Sequence, residues 1–235
     1  MVLLGTIANV ICIVVGSIIG MFLTKIPNKY KETIMQGVAL TVVLIGLQMA
    51  FETNSIIIVL LSVLCGAIIG EFLRLEDFVD RFGQWVASRF TNDTSDVNIA
   101  QAFVTASLLF VIGAMAILGS LDSGLRGDHE ILYTKSILDG FSSFVLASTL
   151  GIGVILSAIP VGLFQGTITL LARKIETIIP DALFDSLLVE LTGVGGLLIL
   201  AIGLNLLKIT NIRVTNLLPS LFVVILFVYL QGIIT

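Results

Sequence analysis

The first twenty-five residues, MVLLGTIANVICIVVGSIIGMFLTK (1–25), carry no charged side chain before Lys25. A stretch of that length and apolarity is long enough to cross the hydrocarbon of a bilayer as a helix. In lipid the backbone N–H and C=O groups must bond within the segment, and a helix achieves that. No basic residues precede the apolar run and no small-residue cleavage pattern follows it, so it reads as a retained first membrane helix rather than a signal peptide.

The rest of the chain repeats this pattern. Of its 235 residues 57% are hydrophobic and 12% charged, there are four prolines, and the mean hydropathy is +1.14. These values lie outside the range of soluble globular domains. The short alternating segments of a lipid-facing barrel are absent, which makes the expected fold class an all-α polytopic membrane protein, a single membrane domain over 1–235. About eight transmembrane helices are expected, at 2–24, 33–51, 55–74, 98–120, 135–157, 159–174, 191–208 and 214–234. A count of seven follows if one helix around the tight break at Ser157–Pro160 is re-entrant. Two amphipathic segments are expected at the interface. In 76–91, Phe78, Phe82, Trp85 and Phe90 fall opposite Asp77, Arg81 and Arg89; in 179–189, Ile179, Leu183 and Leu187 oppose Asp181 and Asp185. Placing both termini outside puts eight Lys and Arg in cytoplasmic loops and four in outer ones, as the positive-inside rule favours.

Internal similarity points to an inverted repeat. ETIMQG (32–37) aligns with KSILDG (135–140), pairing Gln36 with Asp139 and Gly37 with Gly140. Repeat one would span 32–121 and repeat two 134–209, three helices each with an interfacial helix before the last. Helices 1–31 and 212–235 would then be peripheral. Three crossings per unit is odd, so neighbouring repeats would be inverted, with a shared pathway between them.

Polar groups inside such helices are costly and face a partner, a bundle interior or a water-filled cavity. The candidates for a pathway or substrate site are Gln36, Gln101, Asp139, Ser142, Ser143, Gln165, Glu190 and Asn205. Lys135 precedes Asp139 by four residues, the spacing of a helical ion pair, which is also a purely structural use of that carboxylate. Gly16 with Gly20, Gly66 with Gly70, and Gly193 with Gly196 read as close-packing points between helices. The loop holding Asp122, Asp128, His129 and Glu130 reads as turns rather than a metal site. No catalytic motif, metal signature or cofactor signature is present, nor a polybasic run for nucleic acid. The chain reads as a non-enzyme with no catalytic residues, no metal and no cofactor. Its partners are the lipid bilayer and an unidentified small solute or ion, and a homo-oligomer is compatible with the sequence.

KETIMQG, GAIIGEFL, FVTASLLFVIGAMAILGSLDSGLRGDH, KSILDG with SSFVLASTLGIGV, FQGTITLLA and ELTGVGGLLILAIGLNLL together resemble the bacterial membrane family called domain of unknown function 554, over nearly the whole chain. The resemblance implies a bacterial cytoplasmic membrane location and a compact multi-helix fold. It supplies no activity and no functional residues. The functional expectation is a transporter or channel for a small solute or ion, with a cation weakly favoured because carboxylates outnumber buried bases. The alternative is a non-transporting structural or accessory membrane protein whose polar residues serve helix packing.

Overall fold

A computed structural model describes residues 1–22, 28–79, 81, 96–178 and 181–234. All regular secondary structure among the described residues is helical, without strands. The helices are α1 (Leu4–Phe22), α2 (Asn28–Ala50), α3 (Ile56–Leu73), α4 (Asp96–Val111), α5 (Ala114–Leu125), α6 (Glu130–Leu150), α7 (Gly153–Leu156), α8 (Ala158–Ile178), α9 (Asp181–Leu206), α10 (Val214–Leu217) and α11 (Ser220–Ile234). Five helical spans are long and apolar enough to cross a membrane, and six if the bent pair α4–α5 is one span. Helical backbone resumes at 75–79, the start of the amphipathic segment 76–91. Most of that segment lies outside the described residues.

Several boundaries differ from the expected ones. The helix expected at 98–120 is interrupted, with α4 and α5 meeting at 57°. The cause is Gly113, whose φ of 146° and ψ of 146° lie in a region open essentially to glycine alone. The break expected at Ser157–Pro160 begins earlier, at Gly151 with φ 77° and ψ −151°. Pro160 sits in the first turn of α8, where its missing N–H costs nothing. Pro219 likewise divides the last expected helix into α10 and α11. The interfacial helix expected at 179–189 is not separate, because residues 181–206 form one helix. Glu190, which looked like a boundary residue, is satisfied inside it by hydrogen bonds from a neighbouring loop.

Two compact units emerge, residues 1–34 with 82–178 and residues 35–81 with 179–235. They do not follow the expected repeats 32–121 and 134–209, since each unit takes chain from both. In the first unit α1 is no peripheral helix. It runs parallel to α6, with Gly16 and Gly20 so close that a Cβ on either would collide with the carbonyls of Gly140 and Phe144. α5 and α8 complete this bundle, Gly124 abutting Thr169 and Ala172, while α4 packs on α7 through Gly153.

In the second unit α2 and α9 are antiparallel. Gly46 meets Leu200, Gly196 meets Ala50, and Gly203 meets Val43. α3 crosses the α10–α11 turn with Gly66 against Ser220 and Gly70 against Asn216. α11, expected at the periphery, packs on both α3 and α9. The glycine pairs in both units thus let backbones approach, the use expected of small residues between membrane helices.

Candidate functional site: the buried polar column of the first unit

The spacing of Asn9, Gly16 and Gly20 puts these three residues on one stripe of α1, and the stripe faces α6. There Asn9 Nδ2 donates to Asp139 Oδ2 at 2.9 Å. Lys135 Nζ donates to Asp139 Oδ1 at 3.0 Å and lies 2.9 Å from Oδ2. All three side chains are buried, with relative exposures of 0% for Asn9, 7% for Lys135 and 6% for Asp139. A buried carboxylate is tolerable only with such pairing. Ser143 seals the same helix pair by donating to Ile13 O across the interface at 3.1 Å, and also bonds Gly140 O in its own helix.

Contacts fix the relative heights of the helices. A Cβ on Gly5 would run into Leu132, and one on Gly119 would meet Ile131 and Leu132, so Gly5, Gly119 and Leu132 share a level. Gly166 faces Leu3 and Gly162 faces Val10, which brings Gln165 on α8 to that level too. At 1.5 Å per residue, Thr6 lies about 2 Å and Asn9 about 6 Å below this level on α1. Asp139 lies about 10 Å below on α6. Thr169, four residues from Gln165, lies about 6 Å above, and Ser17, twelve residues from Gly5, about 18 Å below. On α4, Ile99 marks the lower end beside Gly153, with Thr105 and Ser107 six and eight residues up, or about 9 and 12 Å.

Rotation is fixed by the same contacts. On α1, Gly5, Cys12, Gly16 and Gly20 face α6, whereas Leu3 and Val10 face α8. At 3.6 residues per turn, Thr6 and Ser17 fall on the arc between. On α8, Gly162 and Gly166 face α1 while Thr169 and Ala172 face α5, and at 3.6 residues per turn Gln165 falls between Thr169 and Ala172, on the side toward α5. Gln165 is 0% exposed. Neither its Oε1 nor its Nε2 has a hydrogen-bond partner, and the same holds for Thr6 Oγ1, Asn9 Oδ1, Ser17 Oγ, Thr105 Oγ1, Ser107 Oγ and Thr169 Oγ1. From Thr169 to Ser17 these atoms extend over about 24 Å, sixteen residues of rise, most of a hydrocarbon thickness of about 30 Å.

The remaining sequence candidates are used elsewhere or stand apart. Glu190, on α9 of the second unit, accepts from the Thr53 hydroxyl and from Asn54 N at 3.0 Å, clamping the loop between α2 and α3. Asn205 braces the loop after α9, donating to Ile212 O at 2.7 Å and accepting from Thr210 Oγ1 and Ile212 N. Gln36 is exposed on the part of α2 that belongs to the second unit. Gln101 and Ser142 are half-buried in the first. Asp122, Asp128 and His129 take separate partners: Arg126 at 3.7 Å, Glu130 N at 3.0 Å and Ser123 Oγ at 2.6 Å.

The sequence reading passed over Asn9 and Thr6 as site residues. The signal was present for Asn9, because its separations of seven and eleven residues from Gly16 and Gly20 place it on the close-packing face of α1. It also passed over Glu71, which bonds Arg213 at 2.9 Å and Asn216 at 2.7 Å. With Arg74, Glu76, Asp77, Arg213 and Asn216 it lines a cleft of about 320 Å³ at the end of α3.

Apolar helices of spanning length, tight glycine crossings and a buried polar interior define a multi-helix membrane protein. The chain belongs to the family described as Protein of unknown function (DUF554), whose model matches residues 4–229. It is 38% identical to "Uncharacterized membrane protein YdfK" of Bacillus subtilis (strain 168), over 95% of this chain and 96% of that protein. It is 28% identical to "Uncharacterized protein YqgA" of Escherichia coli (strain K12), over 93% of each. No solved structure matches.

Proposed function

We propose that the chain is a non-enzymatic membrane translocator, a transporter or channel for a small solute or ion, and that the first unit carries the path. One observation supports this most: the column of buried polar atoms without protein partners. A buried, unsatisfied polar group costs about 1–3 kcal/mol. Seven side chains bear such atoms in this unit. A dry interior would therefore cost as much as the whole stability of an ordinary domain, about 5–15 kcal/mol. Polar, roomy interiors hold water or a polar ligand instead. The heights of α4 and α5 support reading the bent pair as one broken span, since α4 rises from the level of Gly153 to meet α5 half-way. Non-helical backbone at depth is a feature of membrane sites that line a cavity.

In this reading Asp139, with Lys135 and Asn9, is the charged element beside the path, Gln165 lines it, and both termini face outside the bacterial cell membrane. The count of eight crossings and the inverted repeat belong to the same proposal. Reconstituted protein tests it. Stopped-flow light scattering should give permeation of at least one small solute or ion above protein-free vesicles, reduced ten-fold or more by Gln165→Met. Rates equal to protein-free vesicles for every solute and ion would sink the reading.

A specific set of contacts favours the second reading, a structural or accessory membrane protein. Ser143, Glu190, Asn205 and the glycine pairs are all consumed in helix packing or loop bracing. In that reading Gln165→Met raises stability and alters no flux.

A further inference from the structure

The cleft at the end of α3 lies where that helix runs out of apolar sequence. α3 is long and apolar enough to cross the membrane and ends at Leu73, so residues 74–77 fall at the level of the lipid headgroups. Two kinds of surface meet there. Ile69 and Phe72 on the last turns of α3, and Phe78 just beyond it, are exposed, Phe72 at 87% and Phe78 at 70%. Beside them the cleft of about 320 Å³ is lined, among the described residues, by charged and amide side chains alone. That volume is at the lower end for small-ligand sites. An apolar flank leading into a compact charged pocket is the outline of an amphiphile with a small polar head.

The pocket is held in shape by its own bonds. Glu71 accepts from Arg213 Nη1 at 2.9 Å and from Asn216 Nδ2 at 2.7 Å, and Asn216 Oδ1 accepts from Glu76 N at 2.9 Å. Asn216 is buried, and its backbone packs directly on Gly70. Both oxygens of Glu71 are thereby used, whereas Arg74 and Asp77 make no ion pair among the described residues. Arg74 caps α3 in the left-handed conformation, with φ 51° and ψ 48°, at a position usually given to glycine. Backbone strain of this kind clusters at ligand sites, and here it sets a guanidinium on the rim of the cleft.

The charge balance then decides the head. The lining sets three carboxylates against two guanidiniums, and the C-terminal end of α3 adds the negative end of its dipole. A purely anionic head would meet that excess. A metal ion would find no group of three acidic, imidazole or thiol side chains placed to share it among the described residues. A head that carries both a phosphate and a primary ammonium matches both signs. We infer that the cleft binds the headgroup of a phosphatidylethanolamine-type phospholipid. Arg74 and the donors of Arg213 not used by Glu71 hold the phosphate, Asp77 accepts from the ammonium, and the acyl chains lie along Ile69 and Phe72. The site belongs to the second unit and does not depend on the translocator reading.

The full chain, purified in detergent, is unfolded thermally with increasing mole fractions of phosphatidylethanolamine, phosphatidylcholine or phosphatidylglycerol of identical acyl chains. A ligand bound only to the folded state raises the midpoint saturably. The expected result is saturable stabilisation by phosphatidylethanolamine, with an apparent Kd at least five-fold tighter than for the other two. Phosphatidylcholine keeps the phosphate but has no ammonium N–H to donate, and phosphatidylglycerol has no cation. Arg74→Gly suits the left-handed backbone, so it should leave the lipid-free midpoint unchanged or higher while weakening the phosphatidylethanolamine Kd at least five-fold. Asp77→Asn should abolish the preference over phosphatidylcholine. Arg126→Gln, at an exposed arginine of the first unit, should alter neither. Equal shifts from all three lipids, a preference for phosphatidylglycerol, or full phosphatidylethanolamine affinity in Arg74→Gly overturns the inference. The same saturable stabilisation by glycerophosphoethanolamine, which has no acyl chains, would make the ligand a soluble compound and overturn the lipid assignment.

Discussion

Each unit buries a carboxylate on an apolar helix, and the two are satisfied in opposite ways. In the second unit Glu190 accepts from a hydroxyl and a backbone N–H of an adjoining loop; these are neutral donors fixed by chain geometry. In the first, Asp139 is held by a buried ammonium one turn away and by an amide from a neighbouring helix. A carboxylate bonded to backbone fixes a loop and has little freedom to do anything else. A carboxylate bonded to a flexible cation can exchange that partner. The unpartnered polar atoms are unevenly divided: Thr6, Asn9, Ser17, Thr105, Ser107, Gln165 and Thr169 belong to the first unit, whereas the buried Ser62 hydroxyl belongs to the second.

The contrast can be broken most forcefully at Asp139. Asp139→Leu leaves Lys135 buried and unpaired and should cost about 3–5 kcal/mol, measured by thermal or chemical unfolding in detergent. Lys135→Met combined with Asp139→Leu should recover most of that loss, because the double change removes both charges. A double variant as unstable as the single one would mean that packing, not charge, dominates the site. Gly16→Leu ranks next. Its side chain would collide with the backbone at Gly140, and overpacking of this kind costs about 1–3 kcal/mol, occasionally more.

Glu190→Gln sharpens the comparison from the other unit. It keeps shape and one acceptor, so about 1 kcal/mol of stability should be lost with no change in vesicle permeability. A change in permeability would extend the functional reading to the second unit. The smallest effect is expected at Glu71→Gln. Its ion pair with Arg213 is exposed, with side chains 61% and 66% accessible, and such pairs contribute about 0–1 kcal/mol. Membrane sidedness provides a further check. Ser123 bonds both Val2 O and His129, so cysteines introduced at positions 2 and 129 should react with a membrane-impermeant thiol reagent from the same side.

How much was legible in the sequence differs between elements for physical reasons. The positions of the long helices were readable, because hydropathy over some twenty residues reports burial in lipid directly. The breaks were readable only in part. Pro160 and Pro219 announce themselves, but Gly113 and Gly151 look like any of the 22 glycines until their backbone angles are known. The ion pair of Lys135 with Asp139 was visible from a spacing of four within one helix. The Asn9 bond to Asp139 spans 130 residues, and local spacing contains no information on which helix faces which.

The sequence by itself determined that this is an all-helical membrane chain, where its apolar helices run, that Gly16, Gly20, Gly66 and Gly70 are packing points, and to which family it belongs. The helices and packing points follow from composition and short-range periodicity, and the family from the resemblance of its motifs along nearly the whole chain. Only the tertiary structure decided that Glu190 and Asn205 brace loops, that Asn9 joins Lys135 on Asp139, and that Gln165 and Thr6 are buried without a hydrogen-bond partner. A polar residue in an apolar helix must find a partner, and that partner is set by helix contacts formed between distant parts of the chain.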